Sequence, residues 1–267
     1  GGLSVESTHN INEHTLTFNA GNFSKRQTGS VTGTGRIVFK GNGILVSDDS
    51  TGNSFTAPVE IAAGTRGVNS TSGISSAITV ESGATLSISI NVTLNARNDL
   101  TLKPDSSIVG QTLVFSGVNF VNDGTVNPVN VVFSGDRSQT ISGSGEWRSP
   151  NGINLNGGGT VSLPSDVTMQ TGALNVNIRL DIGGHTLGFA NGNFNKQLSG
   201  TVTGTGLIRF TGNGSLNSLT GDGNLFTASI EIASGTRGLT APSAFAAPVV
   251  IKSGARLNSS GGVTMHV

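Results

Sequence analysis

Apolar residues recur along this chain as short x-φ-x-φ stretches and never as a helical stripe. Leu86 to Leu94 reads L-S-I-S-I-N-V-T-L, with period two throughout. Shorter runs of the same kind lie around Leu3, Val5, Ile11, Leu16 and Phe18. Others place Ile37 with Phe39, Val59 with Ile61, and Ile78 with Val80. Turn signals separate them: AGNF at 20–23, GNG at 41–43, AAGTRG at 62–67 and ESGA at 81–84. Residues 44–54 read as a polar loop. The middle, 97–171, keeps the same grammar, with LTL at 100–102, LVF at 113–115, VVF at 131–133 and VTM at 167–169. No stretch holds a 3.6-residue period over roughly ten positions, which predicts almost no helix.

The strand positions Leu16, Ile37, Val59, Ile78 and Leu100 follow one another at steps of 19–22 residues. Antiparallel hairpins repeat at about 8–12 residues. A step near 21 instead matches one coil of a parallel β-helix, whose inward side chains stack coil on coil. The expected fold is therefore all-β: a right-handed parallel β-solenoid with about 21 residues per coil and about twelve coils. At ~4.8 Å per coil it is a rod about 60 Å long. Gly and Asn suit the corners because they tolerate positive φ.

A longer repeat overlies this one. TGSVTGTGRIVFKGNG (28–43) returns as SGTVTGTGLIRFTGNG (199–214), a shift of 171 residues. With that shift residues 1–96 fall on 172–267 without a gap, and about 45 of the 96 pairs are identical. We read 1–171 as a first repeat unit, with 1–96 duplicated and 97–171 in single copy. Residues 172–267 are a partial second unit of one continuous solenoid. Neither end reads as a polar cap, and an open β-helix end is an unpaired strand edge. Further copies of the repeat in a longer chain are the expected partners.

Composition narrows the function classes. Glycine is 40 of 267 residues, charged residues are 11% and hydrophobic ones 34%. That is too little charge and too much apolar content for typical disorder. Net charge is zero, so there is no basic footprint for nucleic acid. No apolar run approaches the roughly 20 residues that span a bilayer, which argues against membrane insertion. There is no cysteine, which removes disulfides and thiolate metal sites.

Few residues suggest chemistry. His14 and His185 are equivalents, each just before a TLxF strand, and read as turn residues bonded to backbone. Neither has ligand partners at metal-binding spacing. Glu60 and Arg66 recur as Glu231 and Arg237 in EIAxGTRG. A strand glutamate and a turn arginine could form a surface ion pair or bond across coils. The functional reading is a repeated polar contact to sugar or to a neighbouring rod. Trp147, the only Trp, either packs in the core or stacks on a sugar ring. Trp147, Arg66, Arg237, Glu60 and Glu231 are thus the candidate surface contacts. Phe18, Phe23, Phe39 and Phe55 recur as Phe189, Phe194, Phe210 and Phe226, which predicts a stacked core ladder. The fifteen carboxylates are scattered. The adjacent pair Asp48-Asp49 becomes Leu219-Thr220 in the second copy, and Asp222 is isolated. Polysaccharide-cleaving enzymes need paired acids in one cleft. No catalytic, metal or cofactor residue is assigned. The GTG turns at 33–35 and 204–206 lack the helix and GK[ST] of a phosphate loop. Thr-x-Thr pairs such as Thr15-Thr17 occur in some coils only, unlike the regular array of an ice-binding face.

VVFSGDRSQTISGSGEWRSPNGINLNGGGTVSLPSDVTMQTGALNVNIRLDIGGHTLGF (131–189) resembles repeats of very large secreted surface proteins of Bacteroidota. The likeness rests on QTISG at 139–143, GGTV at 158–161, SDVT at 165–168, and Asp181-Ile182 through His185-Thr186-Leu187. The resemblance implies a bacterial, extracellular, cell-surface location with export by the type IX route. It implies a structural role as adhesin stalk or surface fibre, without catalysis or cofactor. Lateral self-association of rods and contact with surface glycans are the further partners. The alternatives are a polysaccharide-binding module or a β-helix polysaccharide lyase or hydrolase.

Overall fold

Leu16, Ile37, Val59, Ile78 and Leu100, so far apart in sequence, are direct neighbours in space. In the computed structural model they pair in parallel register, Leu16 with Ile37, Ile37 with Val59, Val59 with Ile78 and Ile78 with Leu100. Phe120 continues the column beyond Leu100. Each step is one turn, and the chain is all-β, a parallel β-solenoid of about twelve turns with a spacing of about 21 residues. The structure describes residues 1–48, 55–219, 226–260 and 265–266. Clustering in space divides it into two units, Gly1–Val131 and Val132–Val267. The boundary falls inside the single-copy stretch. No described helix is long and apolar enough to cross a membrane.

In the first unit a turn is built from short strands. Asn22–Lys25, Ser30–Thr32 and Arg36–Phe39 form one of them. Side chains alternate inward and outward along each strand because the backbone is pleated. The residues Leu16, Ile37, Val59, Ile78 and Leu100 therefore bring Phe18, Phe39, Ile61, Val80 and Leu102 inward with them, two positions on. Apart from Leu16 and Phe18 in the first of these turns, every one is 0–1% exposed. The predicted ladder of rings is present. Phe18 and Phe39 stack at 5.2 Å between centroids, and Phe23 meets Phe55 edge-on at 5.7 Å.

The second unit repeats these contacts. Leu187, Ile208 and Ile230 form an inward column, as do Phe189, Phe210 and Ile232. Phe189 and Phe210 stack at 5.1 Å, and Phe194 meets Phe226 at 5.8 Å. Trp147 lies over Met169 in register and beside Phe133, 6.3 Å between centroids.

The strand pattern departs from the sequence reading in four places. The last residues of AAGTRG (62–67) open strand Thr65–Val68, so Arg66 is a strand residue and not a turn arginine. AGNF is not wholly a turn, because strand Asn22–Lys25 begins at Asn22 and buries Phe23. The start of the expected loop 44–54 is strand Gly43–Ser47, in which Leu45 lies in register with Phe23. Apolar burial on the turn below outweighs the polar composition around it. The stretch Leu86–Leu94 lies within strand Thr85–Ala96, but its register shifts between Ile88 and Thr93. The strand rounds a corner there. Thr85 pairs with Thr65 on one face, and Leu94 pairs with Ser72 on the next. Ile90 sits on the corner and is 81% exposed, although simple alternation would place it inside.

The column predicts a sharp contrast. Phe39→Ala, deep in the stack, should lower stability by about 3–5 kcal/mol. Thr79→Ala, on an outward position of the same sheet, should change it by less than about 0.5 kcal/mol. Urea midpoints of the two variants against the parent chain check this.

Candidate functional site

The repeated charged residues have two different fates. Along Thr65–Val68 the pleat turns Thr65 and Gly67 outward and Arg66 and Val68 inward. Arg66 is 0% exposed and occupies the inward position that Leu86 and Ile108 fill in the following turns. Its guanidinium lies over the Phe39 ring, 4.2 Å from the centroid. Nη1 donates to the Gly21 carbonyl at 2.5 Å, and Nη2 donates to the Gly41 carbonyl at 2.6 Å. One side chain thus ties two earlier turns together. Arg237 repeats the arrangement over Phe210 at 4.3 Å and donates through Nη1 to Gly192. Its Nη2 has no hydrogen-bond partner among the described residues.

Glycine makes room for these cations. Gly43 and Gly214 have φ of 154° and 152°. A Cβ at Gly43 would fall well inside 3.0 Å of both Gly21 O and Arg66 Nη1, and one at Gly214 would meet Gly192 O and Arg237 Nη1 in the same way. Desolvation by burial pushes both guanidinium groups down from their ordinary value, Arg237 to about 10. At about 10, Arg237 remains protonated at neutral pH.

A second pair of buried cations was not singled out in the sequence. Lys25 is 3% exposed and Lys196 is 0%. Lys25 Nζ donates to the carbonyls of Asp48 at 2.8 Å, Arg26 at 3.3 Å and Gly29 at 3.4 Å. Lys196 Nζ donates to Leu219 at 2.9 Å and Gln197 at 3.1 Å. Burial pushes the Lys196 ammonium down. The signal was present in the alternation, because Lys25 follows the inward Phe23 by two residues and Lys196 follows Phe194 by two.

Three of the five candidate surface contacts are therefore corrected. Arg66, Arg237 and Trp147 are fully buried and cannot touch a sugar or a neighbouring rod. Their cross-turn and core readings are the ones the structure supports. Glu60 and Glu231 do reach the surface, but with other partners. Glu60 pairs with Arg36 of the preceding turn at 3.0 Å. Glu231 is held between Arg209 at 3.0 Å and Lys252 at 3.2 Å. Arg66 does not join Glu60 because the two lie on different sheets of the turn, with Arg66 turned inward and Glu60 turned outward.

The histidines behave as turn residues. His14 donates its backbone N–H to Ile11, and His185 donates to Ile182. His14 is exposed and lines an open cleft of about 410 Å3 with Asn10, Asn12, Glu13, Gly33 and Thr34. His185 Nδ1 lies 3.8 Å from Asp166 of the preceding turn, with both side chains well exposed. No group of three or more His, Asp or Glu among the described residues could hold a metal ion. Asp49, Thr220 and Asp222 lie outside the described residues. The GTG stretches are turns, in which Gly35 donates to Asn12 and Gly206 to Gly183. Thr15 and Thr17 face Arg36 and Val38 in the next turn, so these Thr-x-Thr positions do not stack.

Removing a buried cation should matter more than breaking an exposed pair. Arg66→Ala strands the Gly21 and Gly41 carbonyls and should cost about 2–5 kcal/mol. Glu60→Gln should cost less than about 1 kcal/mol. Urea denaturation of both variants reads the difference. The lysine also makes stability depend on pH. Folding lowers the Lys196 value, so between that value and 10.5 the unfolded chain binds more protons than the folded one. The stability of the parent chain relative to Lys196→Met should therefore rise as pH increases through that window. Parallel urea midpoints from neutral pH up to 10.5 measure it. No protein-family model, no curated protein and no solved structure matches this chain.

Proposed function

We propose that this chain is a non-catalytic structural repeat segment of a long extracellular rod at a bacterial cell surface, serving as an adhesin stalk or fibre. The observation that carries this reading is what the duplication kept. The buried cations Lys25 and Arg66 return as Lys196 and Arg237, and the stacked rings Phe18 and Phe39 return as Phe189 and Phe210. Several outward positions changed instead. Ser24 became Asn195, Arg26 became Gln197, Val46 became Asn217 and Lys40 became Thr211. Two copies that share an interior and differ in surface suit a scaffold whose task is mechanical. Backbone hydrogen bonds between successive turns supply stiffness without disulfides. The resemblance of 131–189 to repeats of secreted Bacteroidota surface proteins supports the extracellular location, the type IX route and continuation by further copies.

The test is immunogold electron microscopy of cells that make the full-length protein, with an antibody against the single-copy stretch 97–171. Label along surface filaments is the expected result. Label confined to the cytoplasm, or release of oligosaccharides when the purified chain meets a polysaccharide, overturns the proposal.

A further inference from the structure

The unit Val132–Val267 carries an outward face of stacked amides. Asn154, Asn175, Asn195 and Asn217 stand in register on strands Ile153–Leu155, Ala173–Val176, Asn193–Lys196 and Gly214–Ser218. Their neighbours Ile153, Leu155, Leu174, Val176, Phe194 and Leu216 are buried, so the amides point outward. Each Nδ2 donates to the Oδ1 of the turn before: Asn175 to Asn154 at 2.9 Å, Asn195 to Asn175 at 3.0 Å, and Asn217 to Asn195 at 3.0 Å. A second column runs beside it through Asn156, Asn177 and Gln197, where Asn177 donates to Asn156 at 2.7 Å. The strand ladder continues through this column, with Asn177 N–H donating to Leu155 O and Gln197 N–H donating to Val176 O.

We infer that this plaque binds a neutral, linear polysaccharide laid along the stacking direction. Five features point to that ligand class. An amide offers two N–H groups and a carbonyl with two lone pairs. A ladder rung uses one N–H and one lone pair, and the remainder stays available at Asn154 and Asn175, which keep partial exposure. Asn195 keeps a free N–H, but its Oδ1 also accepts from Ser215 Oγ at 3.4 Å. The buried Asn217 closes the column by bonding Thr240. Donor and acceptor side by side match a sugar hydroxyl, which is both. The rungs repeat at ~4.8 Å, so the ligand is a polymer with hydroxyls at regular intervals. None of the seven plaque side chains is ionisable, which disfavours nucleic acid and acidic polymers. The nearby Arg179 is engaged by Asp181 at 3.5 Å. The ladder also holds each amide in one orientation before binding, which lowers the entropy lost on association. Leu198, 65% exposed and next to Gln197, offers an apolar edge for the C–H face of a ring.

The other copy supplies the control. The counterparts of Asn175, Asn177, Asn195 and Gln197 are Ser4, Glu6, Ser24 and Arg26. That face has no amide column and carries both signs of charge.

Affinity electrophoresis of the 267-residue chain in native gels tests the inference. The gels contain dextran, laminarin, xyloglucan or galactomannan, with alginate as the acidic comparison. Retardation in at least one neutral gel, and none in alginate, is expected. The triple variant Asn175→Ser, Asn195→Ser, Gln197→Arg restores the residues of the other copy and should weaken binding by about ten-fold or more. Gln197→Arg alone, at the margin of the plaque, should weaken it measurably while its melting curve matches the parent; it decides the matter if the triple variant does not fold. Absence of retardation in every neutral gel overturns the inference, as does equal retardation of the folded variants. A dimer in sedimentation that Gln197→Arg disrupts, without polysaccharide binding, also overturns it and assigns the plaque to a second copy of the chain.

Discussion

Register between successive turns is the constraint on which the rest of this structure depends. A turn in a parallel solenoid bonds only to the turn before and the turn after, so its inward side chains must land on theirs. A slip of one residue would send every inward side chain out. The column from Leu16 to Phe120 shows the rule kept at steps of 19–22 residues. Corners absorb the differences in step. The shift between Ile88 and Thr93 adds residues to a corner without disturbing Leu86 or Leu94, which remain fully buried. Ile90 is exposed because it belongs to the corner and not to either face.

The buried cations answer a need that stacking creates. Carbonyls at the corners lie beyond the ends of the strands, and a buried carbonyl without a donor is costly. Arg66 reaches Gly21 and Gly41, 45 and 25 residues away in the chain, and satisfies both. Lys25 does the same for carbonyls at another corner. Burying a cation carries a desolvation penalty, and the planar guanidinium reduces it by resting on the Phe39 ring. Both copies keep the arginine, its bond to the earlier carbonyl and the glycine that admits it, and Arg66 alone also bonds a second carbonyl.

Outward positions answer to no such constraint, and the surface diverges accordingly. Glu60 takes its partner from Arg36, whereas Glu231 takes Arg209 and Lys252. The counterpart of Arg36 is Leu207, and that of Arg209 is Val38. The two glutamates thus reach similar pairing through different residues. The amide columns show the same freedom, since they exist in one copy and are serine and charge in the other. An unchanged interior can carry different faces, which is what a repeat scaffold requires.

Period-two alternation and the 21-residue step were legible in the chain because each expresses backbone geometry repeated at every turn. They predicted the parallel solenoid, the Leu16 column and the ring ladder. Alternation even placed Arg66 in phase with Val68 and Lys25 in phase with Phe23, but a charged side chain by itself argues for water. The carbonyls that make burial tolerable belong to other turns, so nothing local announces them. Trp147 is equally ambiguous in the sequence, and Phe133 and Met169 around it decide its place in the core. The amide plaque depends on steps of 21, 20 and 22 residues bringing Asn154, Asn175, Asn195 and Asn217 into one line. By itself, then, the sequence determined the class of fold and the composition of its core, because those follow from local periodicity. Only the tertiary structure decided which charges lie inside and which polar residues share a face, because that is settled by the exact length of each intervening turn.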